Sequence, residues 1–367
     1  MPSFKNIQFA LNRHCNCIVN LNLKNCNELT VIPDWALHEC REIQSIVLPD
    51  SVVSIGECAF GSCTKLECIN IPKNVISIGR EAFANCPNLK KIILDPNNTK
   101  FRLQNNILYA LDGSYFHTLS ENAEDAVYVA FKDCNSIKDH AFADCTLKHI
   151  RIPENITSIS NYAFACCEGL SCFYVDDNNC HFREVDGVLF TYDKETLLKI
   201  PLCYHKSEYE IPYGVKHIIK GADNRNLKKI VIPETIEEIP EWCFSNNNGL
   251  KTVEIKGNKI TKIGDFTFFG CRSLENIIIP DSVISIGENA FACCTKLTTI
   301  IIPRNTETIG KGAFSSCCNL HNVVFNSKLK EIGDYAFWDC IKLQKPKLPP
   351  SVVSVGKEAF GYDDFNF

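Results

Sequence analysis

Residues 66–86 read LECINIPKNVISIGREAFANC, a pattern of Leu, Ile, Pro, Val, Gly, Ala-Phe and Cys at set positions. The pattern begins again at Leu89, 23 residues after Leu66. Aligned on the phenylalanine, eleven units recur, most of them 22 to 24 residues apart. The aligned residues are Leu37, Phe60, Phe83, Phe142, Phe164, Phe244, Phe268, Phe291, Phe314, Phe337 and Phe360. Self-similarity at this period predicts stacked repeats rather than two or three globular domains.

Two wide gaps interrupt this spacing. Fifty-nine residues separate Phe83 from the next aligned phenylalanine, and 80 residues follow Phe164 before the next one. A degraded unit within the second gap has Asp223 at the phenylalanine position, which divides the 80 residues into 59 and 21. The same 59-residue step therefore occurs twice.

Each 59-residue step equals one unit of 23 residues plus 36 further residues. The two extra segments agree at an offset of 81, as in the pair Asn98 and Asn179. A tandem duplication is the simplest account of this agreement. We therefore predict one solenoid over residues 1–367 that carries the same insertion twice, at about 95–130 and 176–208.

The local pattern within a unit predicts a strand followed by turns. The segment L-x-x-I-x-I alternates apolar and polar residues, which is typical of a short half-buried strand. A proline such as Pro72 ends it, because proline has no amide hydrogen for the next ladder bond. Residues 52–60 are too often interrupted for a full helix, so we expect irregular turns or a short 3-10 segment. Stacking then gives an α/β solenoid with a curved parallel sheet on its concave face and these turns on its convex side.

A glycine recurs four residues before the phenylalanine, as at Gly56 and Gly79. In two units the same position holds Pro33 or Pro240, whose φ is fixed near about -65°. The position therefore has no requirement for positive φ, and we expect glycine to relieve crowding there.

The repeat resembles a known family. The segments SIGECAFGSCTKLECINIP (54–72) and SIGENAFACCTKLTTIIIP (285–303) are similar to the leucine-rich repeats of the Treponema pallidum type in BspA-like surface proteins. The resemblance extends from Ile18 onward and implies a leucine-rich repeat solenoid. The inserted segment 176–201 resembles the extended β-hairpins of that family. The resemblance also implies surface display and adhesion to host cells or extracellular matrix.

Stacked repeats bring like residues together, so the ten phenylalanines should form a ladder of rings. Nine cysteines occupy one position three residues after the aligned residue and should form a buried ladder of small apolar side chains. They are Cys40, Cys63, Cys86, Cys145, Cys167, Cys271, Cys294, Cys317 and Cys340. We expect these thiols to be free, because stacking points their Cβ atoms the same way.

Composition and motifs argue against several classes of function. The net charge of -5 gives no electrostatic footprint for nucleic acid. The longest apolar run, residues 126–131, is far shorter than a membrane span of about 20 residues. No catalytic or cofactor motif occurs, and the nearest metal candidate, residues 14–17 (His-Cys-Asn-Cys), lacks zinc-site spacing. We therefore predict a chain without enzymatic activity, cofactor or metal.

The outward residues of the strands are the candidate protein-binding surface, because solenoids usually bind through the concave strand face. The candidate residues are Val231, Glu254, Ile278, Ile301 and Val324, flanked by Asn276, Thr299 and Asn322. Three of them, Ile278, Ile301 and Val324, should form an exposed apolar stripe of the kind that marks an interaction site. The alternative is that strand propensity alone selects β-branched residues there.

The sequence leaves two alternatives each for the partner, the compartment and the assembly of the chain. A host cell-surface or matrix protein is the expected ligand, and an intracellular scaffold of the same fold is the alternative. The first 17 residues show no standard export signal, which favours the cytoplasm, whereas the resemblance favours the cell surface. At the other end, Phe365 and Phe367 should cover the last unit, or two chains should meet there as a homodimer.

Overall fold

A computed structural model describes residues 18–104, 107–114, 116–118, 134–142, 147–165, 167, 169–220, 224, 226–326, 328–344 and 346–361. The chain divides into two compact units, Met1–Leu170 with Tyr174–His181 and Ser171–Phe173 with Phe182–Phe367. Several predictions concern residues outside the described ranges. These are the metal candidate at 14–17, Cys145, Asp223 and the terminal pair Phe365 and Phe367.

The described residues form 29 short strands. The first fourteen are β1 (Asn20–Asn22), β2 (Val31–Ile32), β3 (Ser45–Val47), β4 (Ser54–Ile55), β5 (Cys68–Ile71), β6 (Ser77–Ile78), β7 (Lys91–Leu94), β8 (Phe101–Gln104), β9 (Ile107–Ala110), β10 (Phe116–Thr118), β11 (Ser136–Ile137), β12 (His149–Ile152), β13 (Ser158–Ile159) and β14 (Cys172–Val175). The remainder are β15 (Phe182–Val185), β16 (Val188–Thr191), β17 (Thr196–Lys199), β18 (Glu208–Glu210), β19 (His217–Ile218), β20 (Lys229–Ile232), β21 (Thr252–Ile255), β22 (Lys262–Ile263), β23 (Asn276–Ile278), β24 (Ser285–Ile286), β25 (Thr299–Ile301), β26 (Thr308–Ile309), β27 (Asn322–Val324), β28 (Glu331–Ile332) and β29 (Ser354–Val355).

In the first unit, two parallel sheets follow the repeat. The longer strands pair in the order β1-β3-β5-β7, and the two-residue strands pair in the order β2-β4-β6. The register advances by one repeat at each step, so that Ile46 pairs with Ile69 and Ile69 with Ile92. These isoleucines are buried, because period-two alternation turns every second residue of a strand into the core.

The second unit repeats this arrangement. Its longer strands form the sheets β18-β20-β21-β23 and β25-β27, and its short strands form the five-stranded sheet β22-β24-β26-β28-β29. Ile263, Ile286, Ile309 and Ile332 follow one another in register along the short strands. The predicted parallel leucine-rich solenoid is therefore present in each unit.

Antiparallel strands occupy the described parts of both insertions. β8 pairs with β9 in the first, and β15 pairs with β16 in the second. The β15–β16 turn contains Asp186 and Gly187, both with positive φ, as a two-residue hairpin loop requires. The duplicated Asn98 and Asn179 are buried and make matching bonds. The Asn98 Nδ2 donates to the carbonyls of Pro72 (2.9 Å) and Val75 (3.0 Å), and the Asn179 Nδ2 donates to the equivalent carbonyls of Pro153 (2.8 Å) and Ile156 (3.0 Å).

The return segments are turns, and the described residues contain no α-helix or 3-10 helix. The α/β class and the 3-10 segments are thus unconfirmed, and the alternative of irregular turns describes the structure. The reason is that residues on either side of the aligned phenylalanine have positive φ. Around Phe60, for example, φ is +49° at Cys58 and +59° at Ser62, and a right-handed helix cannot continue through such residues.

The glycine position has the role predicted for it. Gly56 and Gly79 lie outside the positive-φ region. A Cβ atom at Gly56 would lie 2.4 Å from the Asp34 amide nitrogen, and one at Gly79 would lie 2.4 Å from that of Glu57. Neighbouring turns therefore approach too closely for a side chain, and relief of crowding is confirmed.

The aligned phenylalanine rings form the core of each unit. Nine of the ten rings are at most 4% exposed, and Phe360 is half-buried. In the second unit, five neighbouring pairs from Phe244 to Phe360 stack at centroid distances of 5.1 to 5.7 Å. In the first unit, Phe60 stacks on Phe83 at 5.4 Å, and Phe142 lies 5.4 Å from Phe164.

Candidate functional site

The apolar stripe, defined as Ile278, Ile301 and Val324, lies on the outward face of β23, β25 and β27. The exposed fractions of these side chains are 74%, 61% and 43%. The residues between the outward positions pack against the core, with Ile300 buried and Ile277 and Val323 partly buried. Strand alternation therefore exposes the stripe as expected, and its aliphatic side chains meet solvent.

The stripe crosses an interruption in the sheet. β23 lies next to β25, yet the two strands belong to separate hydrogen-bonded sheets. Ile301 and Val324 are direct partners in the β25–β27 register, and Ile278 pairs instead with Glu254 of β21. The interruption is confined to the longer strands, since the short-strand sheet and the ring stack Phe268–Phe291 continue past it.

Val231 is an exception to the predicted outward surface, because it is only 8% exposed. It lies in register between Glu210 and Glu254. The Lys256 Nζ reaches the Glu210 Oε1 at 2.8 Å, across the strand that carries Val231. Lys229 pairs with Glu254 at 3.2 Å. Val231 thus lies between two strands whose glutamates form ion pairs, and its low exposure excludes it from an exposed binding surface.

The polar row, defined as Asn276, Thr299 and Asn322, lies two residues before the stripe on the same strands. All three residues are exposed. Their side chains have no hydrogen-bond partner among the described residues. The stripe and the polar row together form a neutral surface of six residues that carries both aliphatic side chains and unengaged amide and hydroxyl groups.

The cysteine ladder has a structural role that the sequence only partly indicates. Its described members are buried, as predicted. Seven of them donate the Sγ hydrogen to the carbonyl of the aligned residue in the preceding unit, at 2.9 to 3.3 Å. The pairs are Cys63 to Leu37, Cys86 to Phe60, Cys167 to Phe142, Cys271 to Phe244, Cys294 to Phe268, Cys317 to Phe291 and Cys340 to Phe314. The thiol therefore satisfies a buried carbonyl as well as filling space.

These thiols should react slowly with alkylating reagents until the chain unfolds. Burial raises the pKa of Cys271 and Cys340 to about 12, so almost no thiolate, the reactive form, is present near neutral pH. The exposed Cys180 should be modified first. Mass spectrometry of peptides after timed iodoacetamide labelling checks this order. Equal labelling rates for Cys180 and Cys271 in the folded chain would contradict the buried-ladder interpretation.

Metal-binding clusters and membrane-spanning helices are absent from the part of the chain that the structure describes. No group of three His, Cys, Asp or Glu side chains there is close enough to hold a metal ion. The described ranges also lack a helix of the length and apolar character that crossing a membrane needs. The neutral surface of stripe and polar row is the candidate site considered below.

Comparison with known sequences identifies the repeat. The sequence model of the BspA-type leucine-rich repeat region, which contains six copies of the repeat, matches residues 2–112, 125–195, 202–263 and 250–365. These ranges cover most of the chain. A search of the curated proteins found no match.

Solved bacterial structures share the fold. A leucine-rich repeat protein from Eubacterium ventriosum is 22% identical, with a TM-score of 0.61, and the match covers 91% of this chain and 86% of that one. A leucine-rich cell surface protein from Faecalibacterium prausnitzii is 22% identical, with a TM-score of 0.51, and the match covers 92% and 87% of the two chains. At these identities the likeness concerns the fold.

Proposed function

Because the chain belongs to the family of BspA-type leucine-rich repeat proteins, we propose that it is a cell-surface binding module that attaches to a host or matrix protein through the apolar stripe. Proteins with leucine-rich repeats are generally protein-interaction modules, and this family is generally not enzymatic. The chemistry of binding is then the removal of aliphatic surface from water rather than a reaction.

The exposure of the stripe is the observation that carries this proposal. Three aliphatic side chains with exposed fractions of 43% to 74% occupy equivalent positions on three successive turns. Burying them in a partner contributes roughly 25 cal/mol per Å² of apolar area before the costs of association. The description of the F. prausnitzii relative as a cell surface protein supports the proposed location.

The triple variant Ile278→Asp, Ile301→Asp and Val324→Asp should fold and lose binding. Three carboxylates on an outward face are solvated in the free chain, but they oppose the burial of that face in a partner. Beads coated with the parent or the variant are compared for adhesion to fibronectin, laminin and collagen. Adhesion by the parent that the variant retains in full would overturn the proposed site. The absence of parental adhesion to all three would remove these matrix proteins as partners.

A matched control is available on the same unit. Ile284, Ile341 and Val353 are 47%, 74% and 81% exposed, and none of them belongs to the stripe. Replacing all three by Asp changes the same residue types and adds the same charge. This control should adhere like the parent. Equal loss in both variants would mean that added negative charge, and not the stripe, governs adhesion.

An intracellular scaffold that binds a protein through the same stripe is the second candidate. The free thiols favour it, because seven of them use their hydrogen to bond a buried carbonyl and such thiols persist most readily in a reducing compartment. Labelling intact cells with an antibody to the chain separates the two candidates. Surface labelling supports the adhesin, and labelling only after permeabilisation supports the scaffold.

A further inference from the structure

Several asparagine side chains at the surface of this solenoid bond the main chain of a neighbouring turn. The Asn70 amide, on an outward position of β5, accepts from the Leu48 nitrogen at 2.6 Å and donates to the Leu48 carbonyl at 3.0 Å. Asn305 and Asn319 donate to carbonyls one unit earlier at 2.7 and 2.6 Å. The polar row differs from these residues, because its amides and hydroxyl have no such partner among the described residues.

Charge is distributed unevenly along the outward positions that contain the stripe. On one side, Glu254 is paired with Lys229 at 3.2 Å and its charge is compensated. On the other side, the position one repeat after Val324 holds Lys347, which is exposed and has no ion-pair partner within the described ranges. Lys347 lies between the short strands β28 and β29, which keep the 23-residue register, since Ile332 pairs with Val355. The surface therefore runs from compensated charge, through the neutral stripe, to an uncompensated cation.

We infer that the stripe receives an extended polypeptide segment that runs across the strands, with its main chain bonded to the polar row and an acidic group against Lys347. This inference rests on the proposed function, and it adds the extended conformation of the partner and the acidic group at one of its ends. Aliphatic side chains of the segment would pack on Ile278, Ile301 and Val324.

The polar row favours an extended segment over a helix. A helix bonds its own main-chain N–H and C=O groups along its length, whereas an extended chain leaves them for other partners. Asparagine both donates and accepts, and threonine does the same through its hydroxyl, so the row matches such groups. At about 4.8 Å per repeat, the three repeats from Ile278 to Lys347 span roughly 15 Å, which is about four or five extended residues.

The charge pattern indicates that the end of the segment near Lys347 carries the acidic group. A carboxylate at that end of the segment, from Asp, Glu or a chain terminus, would meet Lys347. No uncompensated carboxylate marks the opposite end, because Glu254 already pairs with Lys229. A segment of apolar residues that ends in an acidic group therefore fits this surface better than a basic one.

A selection from phage-displayed random 12-residue peptides tests the inference on the full chain. Peptides are selected on the immobilised parent, and those that also bind the stripe variant (Ile278→Asp, Ile301→Asp, Val324→Asp) are removed. The survivors should combine two or more aliphatic residues with an acidic residue at one end. The affinity of a synthetic copy is then measured by fluorescence anisotropy.

Affinity measurements with substituted chains and peptides test the hydrogen bonds to the polar row and the ion pair with Lys347. The pair Asn276→Ala and Asn322→Ala should weaken the peptide about tenfold, and backbone esters in the peptide should act similarly, because each removes main-chain hydrogen bonds. Lys347→Glu should weaken it about fivefold, and exchanging the acidic residue of the peptide for lysine should restore the affinity. The control Lys296→Glu, at an exposed lysine outside these rows, should change little.

The outcomes separate the inference from the proposed function. Stripe-dependent peptides that are indifferent to Asn276, Asn322 and Lys347 would overturn the inference and leave the proposed function standing. Failure to select any stripe-dependent peptide would count against both. Stripe-dependent binding of glycans alone, or dimerisation of the parent that the stripe variant loses, would assign the surface to another occupant and overturn the inference.

Discussion

Replacing Phe291 by alanine should lower the free energy of unfolding by about 3–5 kcal/mol, because it removes a fully buried ring from the middle of a stack. The Phe291 side chain is 0% exposed. Its ring lies 5.3 Å from that of Phe268 and 5.2 Å from that of Phe314. Main-chain bonds hold the turns on either side, as from the Phe291 nitrogen to the Ala313 carbonyl at 2.7 Å. The site therefore has little freedom to collapse onto the space left behind.

Urea unfolding followed by circular dichroism measures this loss, with Phe291→Leu as the matched variant. Leucine refills much of the volume and should cost less than half as much. A parental midpoint for Phe291→Ala would show that the stacked rings do not stabilise the unit, contrary to the structure. A loss for Phe291→Leu as large as that for alanine would point to ring stacking itself rather than to cavity formation.

Replacing Gly310 by alanine should cost about 2–3 kcal/mol through crowding, although only one methyl group is added. A Cβ atom there would lie 2.6 Å from the Gly287 carbonyl carbon and 2.7 Å from the Glu288 nitrogen. Both atoms belong to the main chain of the preceding unit, so relief requires two turns to move apart. The effect should exceed the gain of about 0.4–1 kcal/mol that alanine brings by restricting the unfolded chain.

Gly61→Ala is the control for this prediction. Its Cβ atom would first meet the His38 Cδ2 at 2.8 Å, and a half-buried side chain can shift more easily than a backbone. Urea unfolding should therefore show a clearly smaller loss for Gly61→Ala than for Gly310→Ala. Equal losses would mean that glycine is needed at Gly310 for a reason other than the approach of neighbouring turns.

The fold of each unit was largely predictable, because a repeat reports the same constraints many times. Alternation in L-x-x-I-x-I predicts a strand with one buried face, and Ile46, Ile69 and Ile92 are paired in that way. The turn conformation that replaces a helix in each unit could not be predicted from the pattern alone. Residues as different as Cys58, Trp242 and Tyr335 share one positive-φ position, so side-chain type gave no signal for it.

The candidate surface was predictable in its outline and less so in its members. Ile278, Ile301 and Val324 are exposed because strand alternation alone turns them outward. Val231 occupies an equivalent position and is only 8% exposed, next to the Lys256–Glu210 ion pair that crosses its strand. The bonding state of an outward residue was equally hidden, since Asn70 bonds its neighbour's main chain and Asn276 does not.

The amino-acid sequence by itself determined the period, the buried face of each strand, the ladder of rings and the role of the repeated glycine. These depend on interactions between equivalent positions of adjacent turns, which a 23-residue repeat brings together automatically. Only the tertiary structure decided which outward residues stay exposed, where the longer-strand sheet is interrupted and which polar groups remain unengaged. Those features depend on long side chains that reach across turns, as Lys256 reaches Glu210 46 residues away, and no local pattern encodes them.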